Sequence, residues 1–343
     1  MFIHPTRRIA LVCALVAALS GCGGGRSLPV SGAIPGPALY RSQAEFAVPD
    51  TTQKIYVASR LSNAILVYAV TANGNASPVR VISGALTQLE APVALAFSPN
   101  GHLYVVNDSG NNVLIFPKGA SGNVAPQVLG GSHTHLATSE GVAIDASGKI
   151  YVSDFRNNVI HVFASGATGD VAPLRTISGA HTKFDSPSGM GFDSAGHLYV
   201  ANYLSAASPI LEFSKTANGN AAPIATLGGS HTGLGGVFNV NLDPGDRIIA
   251  GNNSGTSVRV FAAGAHGNVS PVAKISGSNT KFTYITSTGV DSNGLIYVAN
   301  AKVTTGVDKI LVFAKNANGN VAPLANITGA NTQLDEPFYP TVH

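Results

Sequence analysis

The chain has 343 residues, with 20 Lys and Arg against 17 Asp and Glu, and only 11% of its residues are charged. A near-neutral surface with no basic run carries no electrostatic footprint for nucleic acid, which excludes that partner class. Cys13 and Cys22 are the only cysteines, too few for a scaffold held by disulfides.

Residues 1–21 are expected to be an export signal. Arg7 and Arg8 precede an apolar run from Ile9 to Leu19, the length of a signal-peptide core and too short to span a bilayer. The run ends in Leu19-Ser20-Gly21-Cys22. That motif resembles a bacterial lipobox, which implies cleavage before Cys22 and lipidation of it. An ordinary secretory signal with an incidental Cys is the alternative, but Cys13 would leave with the signal, and a lipidated Cys22 accounts for the lone remaining thiol. Gly23 in place of Asp is the lipoprotein pattern for outer-membrane sorting in a diderm cell. Residues 22–43, rich in Gly, Pro and Ser, read as a tether with a reach of about 25 Å.

From residue 44 onward the chain repeats itself. Ile150-Tyr151-Val152-Ser153-Asp154 recurs with its aromatic slot at residues 56, 104, 151, 199, 249 and 297, in steps of 48, 47, 48, 50 and 48. A fixed period in this range marks an array of equivalent supersecondary units. The third unit predicts four strands, at Gly141–Ile144, Ile150–Val152, Val159–Phe163 and Leu174–Ile177. Each is short, rich in Val, Ile and aromatics, and bounded by turn residues.

The turns repeat as well. Asp145-Ala146-Ser147-Gly148 has counterparts at residues 193–196 and 291–294, with Asp and Gly at the positions that close a turn. Gly122-Asn123, Gly169-Asp170, Asn218-Gly219 and their equivalents predict tight hairpins between the third and fourth strands. Pro78, Pro126, Pro173, Pro223, Pro271 and Pro323 open the fourth strands, as suits a sheet edge. In the first strands bulky residues (Leu95, Phe97, Val142, Ile144) alternate with small ones (Ala94, Ala96, Gly141, Ala143), so neighbouring sheets can interlock. The fold expected over residues 44–343 is an all-β, six-bladed β-propeller of four-stranded antiparallel blades. Two segments match the innermost strand of the first blade: Phe46–Asp50, and residues 334–342 with His343 in the Asp slot. A terminal strand therefore closes the ring, and either end qualifies.

The third unit carries a family resemblance, in Glu140-Gly141-Val142-Ala143-Ile144-Asp145, Gly148-Lys149-Ile150-Tyr151-Val152-Ser153-Asp154 and Asn157-Asn158-Val159-Ile160-His161-Val162-Phe163. It resembles NHL-repeat propellers, within the six-bladed gluconolactonase-like and TolB-like group. The resemblance implies the fold, and for the enzymes of that group a metal on the channel axis held by acidic and amide side chains.

Candidate site residues are those that break the repeat. Glu140 aligns with Val93, Ser188, Phe238, Thr286 and Phe338 at the start of the inner strand, Asn239 and Asn241 replace Ala or Gly, and Ser287 follows in the sixth unit. This polar sector is either a satisfied network or a ligand site. His133, His181 and His231 occupy equivalent loops, but Asn279 and Asn331 fill the same slot, which reads as a turn position tolerating left-handed backbone. The repeated Asx at Asn107, Asp154, Asn202, Asn252 and Asn300 reads as a tie for the loop that follows it. No catalytic triad, phosphate loop or Cys-His pair is visible.

The expected function is that of a membrane-anchored, exported and monomeric binding scaffold for a protein, peptide or glycan partner, without a cofactor. The alternative is a hydrolase or lyase of the gluconolactonase-like kind, with calcium or zinc near Glu140, Asn239 and Asn241.

Overall fold

The Val-, Ile- and Tyr-rich runs become strands in every repeat, because such side chains pack well on a pleated, half-buried surface. A computed structural model describes residues 52–205, 210–302 and 306–343. They form six four-stranded antiparallel sheets arranged as a six-bladed β-propeller, with one-turn 3-10 segments as the only helical structure among the described residues. Blade 3 is representative: Ser139–Ile144 is innermost, followed outward by Ile150–Asp154, Val159–Phe163 and Arg175–Ser178. The inner strands of blades 2, 4, 5 and 6 are Pro92–Phe97, Pro187–Phe192, Val237–Leu242 and Ile285–Val290.

The C-terminus closes the ring. Pro337–Val342 is the inner strand of blade 1, pairing Ile55 with Val342 and Ser59 with Pro337, outside which lie Ala64–Ala69 and Arg80–Ile82. Lys54 and His343 exchange both backbone hydrogen bonds, at 2.8 and 3.1 Å. The His343 ring then stacks on Phe97 of blade 2, 4.1 Å between centroids. Phe46–Asp50, the competing segment, lies outside the described residues, as do the signal and tether.

The core sits between blades. Tyr56 packs edge-on against Phe97 of blade 2, and Tyr151 against Phe192 of blade 4, at 4.8 and 5.0 Å. Such pairs contribute about 0.5–1.5 kcal/mol beyond their burial. Inner strands approach too closely for side chains on both sides. A Cβ on Gly289 would run into the Pro340 carbonyl, and one on Gly189 into Asn239 and the Tyr339 hydroxyl.

Three expectations change in detail. The Gly-Asx steps do not close tight hairpins. The third-to-fourth connection is long, residues 164–174 in blade 3, and its glycine bridges the outer strand of the preceding blade, as Gly122 does with Ile82 and Gly169 with Leu129. That glycine needs positive φ (68° at Gly122), which only Gly adopts without cost. The outer edge is therefore partly covered rather than open. The Asx after the glycine caps the turn that follows the preceding blade's outer strand, a 3-10 turn everywhere but at His231: the His181 N–H donates to Asn220 Oδ1 at 2.7 Å, His231 to Asn268, Asn279 to Asn320 and Asn331 to Asn75. In the same turns a Thr hydroxyl donates to the glycine carbonyl three residues back, at 2.6–2.7 Å.

The histidine slot is thus the middle of a tight turn, 3-10 at His133 and His181. Left-handed backbone falls two residues later, at Gln88, His135, Lys183, Lys281 and Gln333. The Asx of the second strand ties the loop arriving at its own blade, and at Asp154 it also ties the loop that follows, accepting from Asn157 Nδ2 at 3.0 Å. Asn107 Oδ1 accepts the Glu90 N–H at 2.6 Å, and Asn202 Oδ1 accepts that of Asp185 at 2.6 Å.

Candidate functional site

The mouth of the central channel gathers the residues in which blades differ. Every inner strand is irregular near its start: pairing slips between Ser139 and Gly141 in blade 3, between Val237 and Val240 in blade 5, at the matching place in blades 2, 4 and 6, and one residue further on, between Phe338 and Thr341, in blade 1. A bulge inserts an unpaired residue and re-aims its side chain. Glu140, Phe238 and Tyr339 occupy these positions. A second ring comes from the residue directly after each second strand's terminal polar slot: Arg60, Asp108, Phe155, Tyr203, Asn253 and Ala301.

Blades 1 to 3 make a charged arc. Arg60 reaches Glu336 at 3.1 Å and Asp108 at 3.4 Å, joining blades 1 and 2 across the rim. Glu140 lies within electrostatic range of both Asp108 and Arg60. Burial pushes its pKa up to about 7; the Asp108 charge adds to that and Arg60 opposes it. No hydrogen bond is made by the Glu140 carboxyl among the described residues. Blades 3 to 5, with the closing strand, make an aromatic arc. Tyr203 stacks on Phe238 at 4.2 Å, Phe155 lies 5.9 Å from Tyr203, and Phe338 stands edge-on to Phe238 at 6.3 Å.

Tyr339 forms the floor. It is buried, and its hydroxyl donates to the Phe238 carbonyl at 3.3 Å. Burial raises its pKa well above 10, with the Glu140 charge adding to the effect, so the hydroxyl keeps its proton.

The other sequence-derived candidates lie elsewhere in the inner ring. Asn239 exchanges hydrogen bonds with Thr288, donating to its carbonyl at 2.7 Å and accepting its N–H at 2.9 Å. Asn241 donates to the same carbonyl and to Thr288 Oγ1, both at 2.9 Å. Ser287 Oγ accepts the Tyr339 N–H at 2.6 Å. These polar groups lace the inner strands of blades 5, 6 and 1 together, and their hydrogen bonds do not reach Glu140. The histidine loops stay separate, each held to its neighbour blade; His133 Nδ1 is 2.8 Å from Asp170. The aromatic arc was missed at the sequence level. For Phe155 and Tyr203 the signal was the variable residue behind an almost invariant Asx, while Phe238 and Phe338 entered only as counterparts of Glu140.

No family model matches the chain, and no curated protein matches it. Solved structures match in fold. A chain of a nidogen/laminin complex superposes with a TM-score of 0.62 at 13% identity, covering 84% of this chain and 98% of its own. A streptogramin B lyase gives 0.55 at 11% identity, over 86% and 88% of the two chains. A protein from Bacteroides uniformis described as a 6-phosphogluconolactonase of unproven activity gives 0.54 at 16%, over 84% and 87%. At these identities the likeness shows the six-bladed propeller fold and nothing finer.

Proposed function

We propose that this chain is an exported, lipid-anchored propeller of NHL type that binds a peptide, protein or glycan partner at the mouth around Glu140. The observation that carries this reading is the sorting of the mouth into a charged arc (Arg60, Asp108, Glu140, Glu336) and an aromatic arc (Phe155, Tyr203, Phe238, Phe338) over a tyrosine floor. Aromatic faces with neighbouring polar groups supply large contact area at little entropic cost, the composition of binding hot spots. The lipobox at Cys22 and the tether would hold a monomeric propeller at the outer membrane of a diderm cell, with the mouth free to meet partners. The test is a screen of peptide and glycan arrays with the full-length chain in detergent. Saturable binders are expected, and their absence from both arrays and from envelope pull-downs would count against the reading.

A second reading, a hydrolase or lyase, is favoured by one observation: a carboxyl with a pKa near 7 beside Tyr203 and Tyr339 is suited to exchange protons at neutral pH. Against its metal-dependent form, the amides of Asn239 and Asn241 are already committed to Thr288. Turnover of lactone or cyclic-ester substrates, abolished by Glu140→Gln, would favour this reading over binding alone.

A further inference from the structure

The opposite face, where inner strands turn into second strands, holds a cluster that occurs in one blade only. In blade 4 the Asp193 and Glu212 carboxylates both point at His197 Nδ1, at 3.0 and 3.2 Å. These three ligand-type atoms lie within 4.8 Å of one another, and no other such group of three occurs among the described residues. Each carboxylate is largely buried, 12% and 13% exposed, while His197 is 36% exposed. One imidazole nitrogen carries one proton at most, so it cannot fully satisfy two carboxylates.

Comparison between blades separates this cluster from an ordinary turn. In blades 3 and 5 the Asp slot is balanced by a cation: Lys149 stands 4.0 Å from Asp145 and Arg247 2.7 Å from Asp243, whereas Asp291 of blade 6 is held by the Asn293 and Leu295 N–H groups and the Tyr297 hydroxyl. Blade 4 has His197 there. The Glu212 position, directly opposite the tyrosine slot, is apolar in the other blades: Val67, Ile115, Val162, Val260 and Val312. In blades 1 and 3 an outer-strand arginine, Arg80 or Arg175, donates to the tyrosine hydroxyl at 2.6 Å. In blade 4 that outer position is Ala225, and Tyr199 instead hydrogen-bonds Glu212. Relative to blade 3, which has Lys149 and Arg175 at these places, blade 4 has therefore lost two cations and gained a carboxylate. The spare oxygens are held from behind: Asp193 Oδ1 accepts the His197 N–H at 2.7 Å, and Tyr199 orients Glu212.

We propose that Asp193 Oδ2, His197 Nδ1 and Glu212 Oε1 form a binding site for a divalent first-row transition cation, with Zn²⁺ the ion to test. One imidazole with two carboxylates suits zinc and its neighbours, whereas calcium takes oxygen donors alone. Carboxylates fixed by an outer partner such as Tyr199 are the arrangement that tunes metal ligands. A bound cation would cross-link the turn at residues 193–197 to the third strand, so its loading would be read in stability. This site is independent of the mouth.

The experiment is a Zn²⁺ titration of the full-length chain in detergent, followed by calorimetry and by thermal melting. Wild type is expected to bind one ion saturably and to melt higher as zinc rises. Glu212→Val, which installs the residue of blades 1, 3, 5 and 6, should fold, lose that binding and melt the same with or without zinc. If that variant is recovered unfolded, Glu212→Gln makes the same comparison with the shape kept. Tyr199→Phe should weaken the affinity about 10- to 100-fold, and His181→Ala, on an exposed loop, should leave it unchanged. Absence of saturable binding, or equal binding by wild type and the Glu212 variants, would overturn the assignment and place any zinc on surface histidines.

Discussion

The Tyr339 hydroxyl, carried by the strand that closes blade 1, hydrogen-bonds the carbonyl of Phe238 in blade 5, reaching past blade 6 across the channel. The same strand therefore seals the ring and floors the mouth. Its neighbour Phe338 adds a ring to the aromatic arc. Closure and site share one segment, and damage to the first should reach the second.

Deleting Pro337–His343 should lower the melting temperature by ten degrees or more, or abolish folding. The strand buries Phe338 and Tyr339, 7% and 6% exposed, and losing one such side chain alone costs about 3–5 kcal/mol. Deletion would also leave an unpaired edge on Lys54–Ser59. A melt within a degree or two of the full chain would contradict the closure.

The Asn caps that clasp one blade's turn to the next blade should be roughly equal in strength. Asn75→Ala, which frees the Asn331 N–H at the seam between blades 6 and 1, and Asn268→Ala, which frees that of His231, should each cost about 1 kcal/mol in chemical denaturation. A seam clasp worth several times its internal counterpart would show that the ring is strained where it closes.

Glu140 gives a pH signature. Its pKa in the folded protein, about 7, lies above the usual 4.5, so the folded state keeps a proton that the unfolded chain releases. The stability it contributes is fully present below pH 4.5 and is lost as pH rises through 7. Relative to Glu140→Gln, wild type should therefore lose stability over that window. A carboxyl titration followed by NMR should place the Glu140 midpoint near 7, and a midpoint near 4.5 would show a solvated side chain.

The proposed lipid anchor is tested at Cys22. Cys22→Ser should move the protein from the membrane fraction to the soluble one without changing its melt, because stable attachment needs more than one acyl chain and the blades begin at Lys54. Continued sedimentation with membranes would refute the lipobox reading.

Much of the fold was legible because each blade repeats the same local instructions. The tyrosine slot, the Asp-to-Gly turns and the match of residues 334–342 to an inner strand all survive in the structure. What was not legible is non-local. The Gly-Asx steps read as hairpins because their partners, such as Gly131 and Asp170, belong to different blades. The inner-strand bulges that aim Glu140 and Phe238 at the mouth carry no signature of their own, since one extra residue leaves the repeat length intact. Glu140 stood out by its charge, whereas Phe155 and Tyr203 did not, because aromatics in a propeller pass for core. Asn239 and Asn241 looked like ligands for a reason the sequence could not resolve: their partner, Thr288, is in the next blade.

The central claim is that the mouth is the binding surface, and the most direct measurement is the affinity of the strongest array ligand for three forms of the full chain. Phe238→Ala removes the ring between Tyr203 and Phe338, and should weaken binding at least tenfold, as loss of a hot-spot aromatic does. His197→Ala, on the opposite face, should bind as wild type does. Equal affinity for wild type and Phe238→Ala, or a loss confined to His197→Ala, would contradict the account.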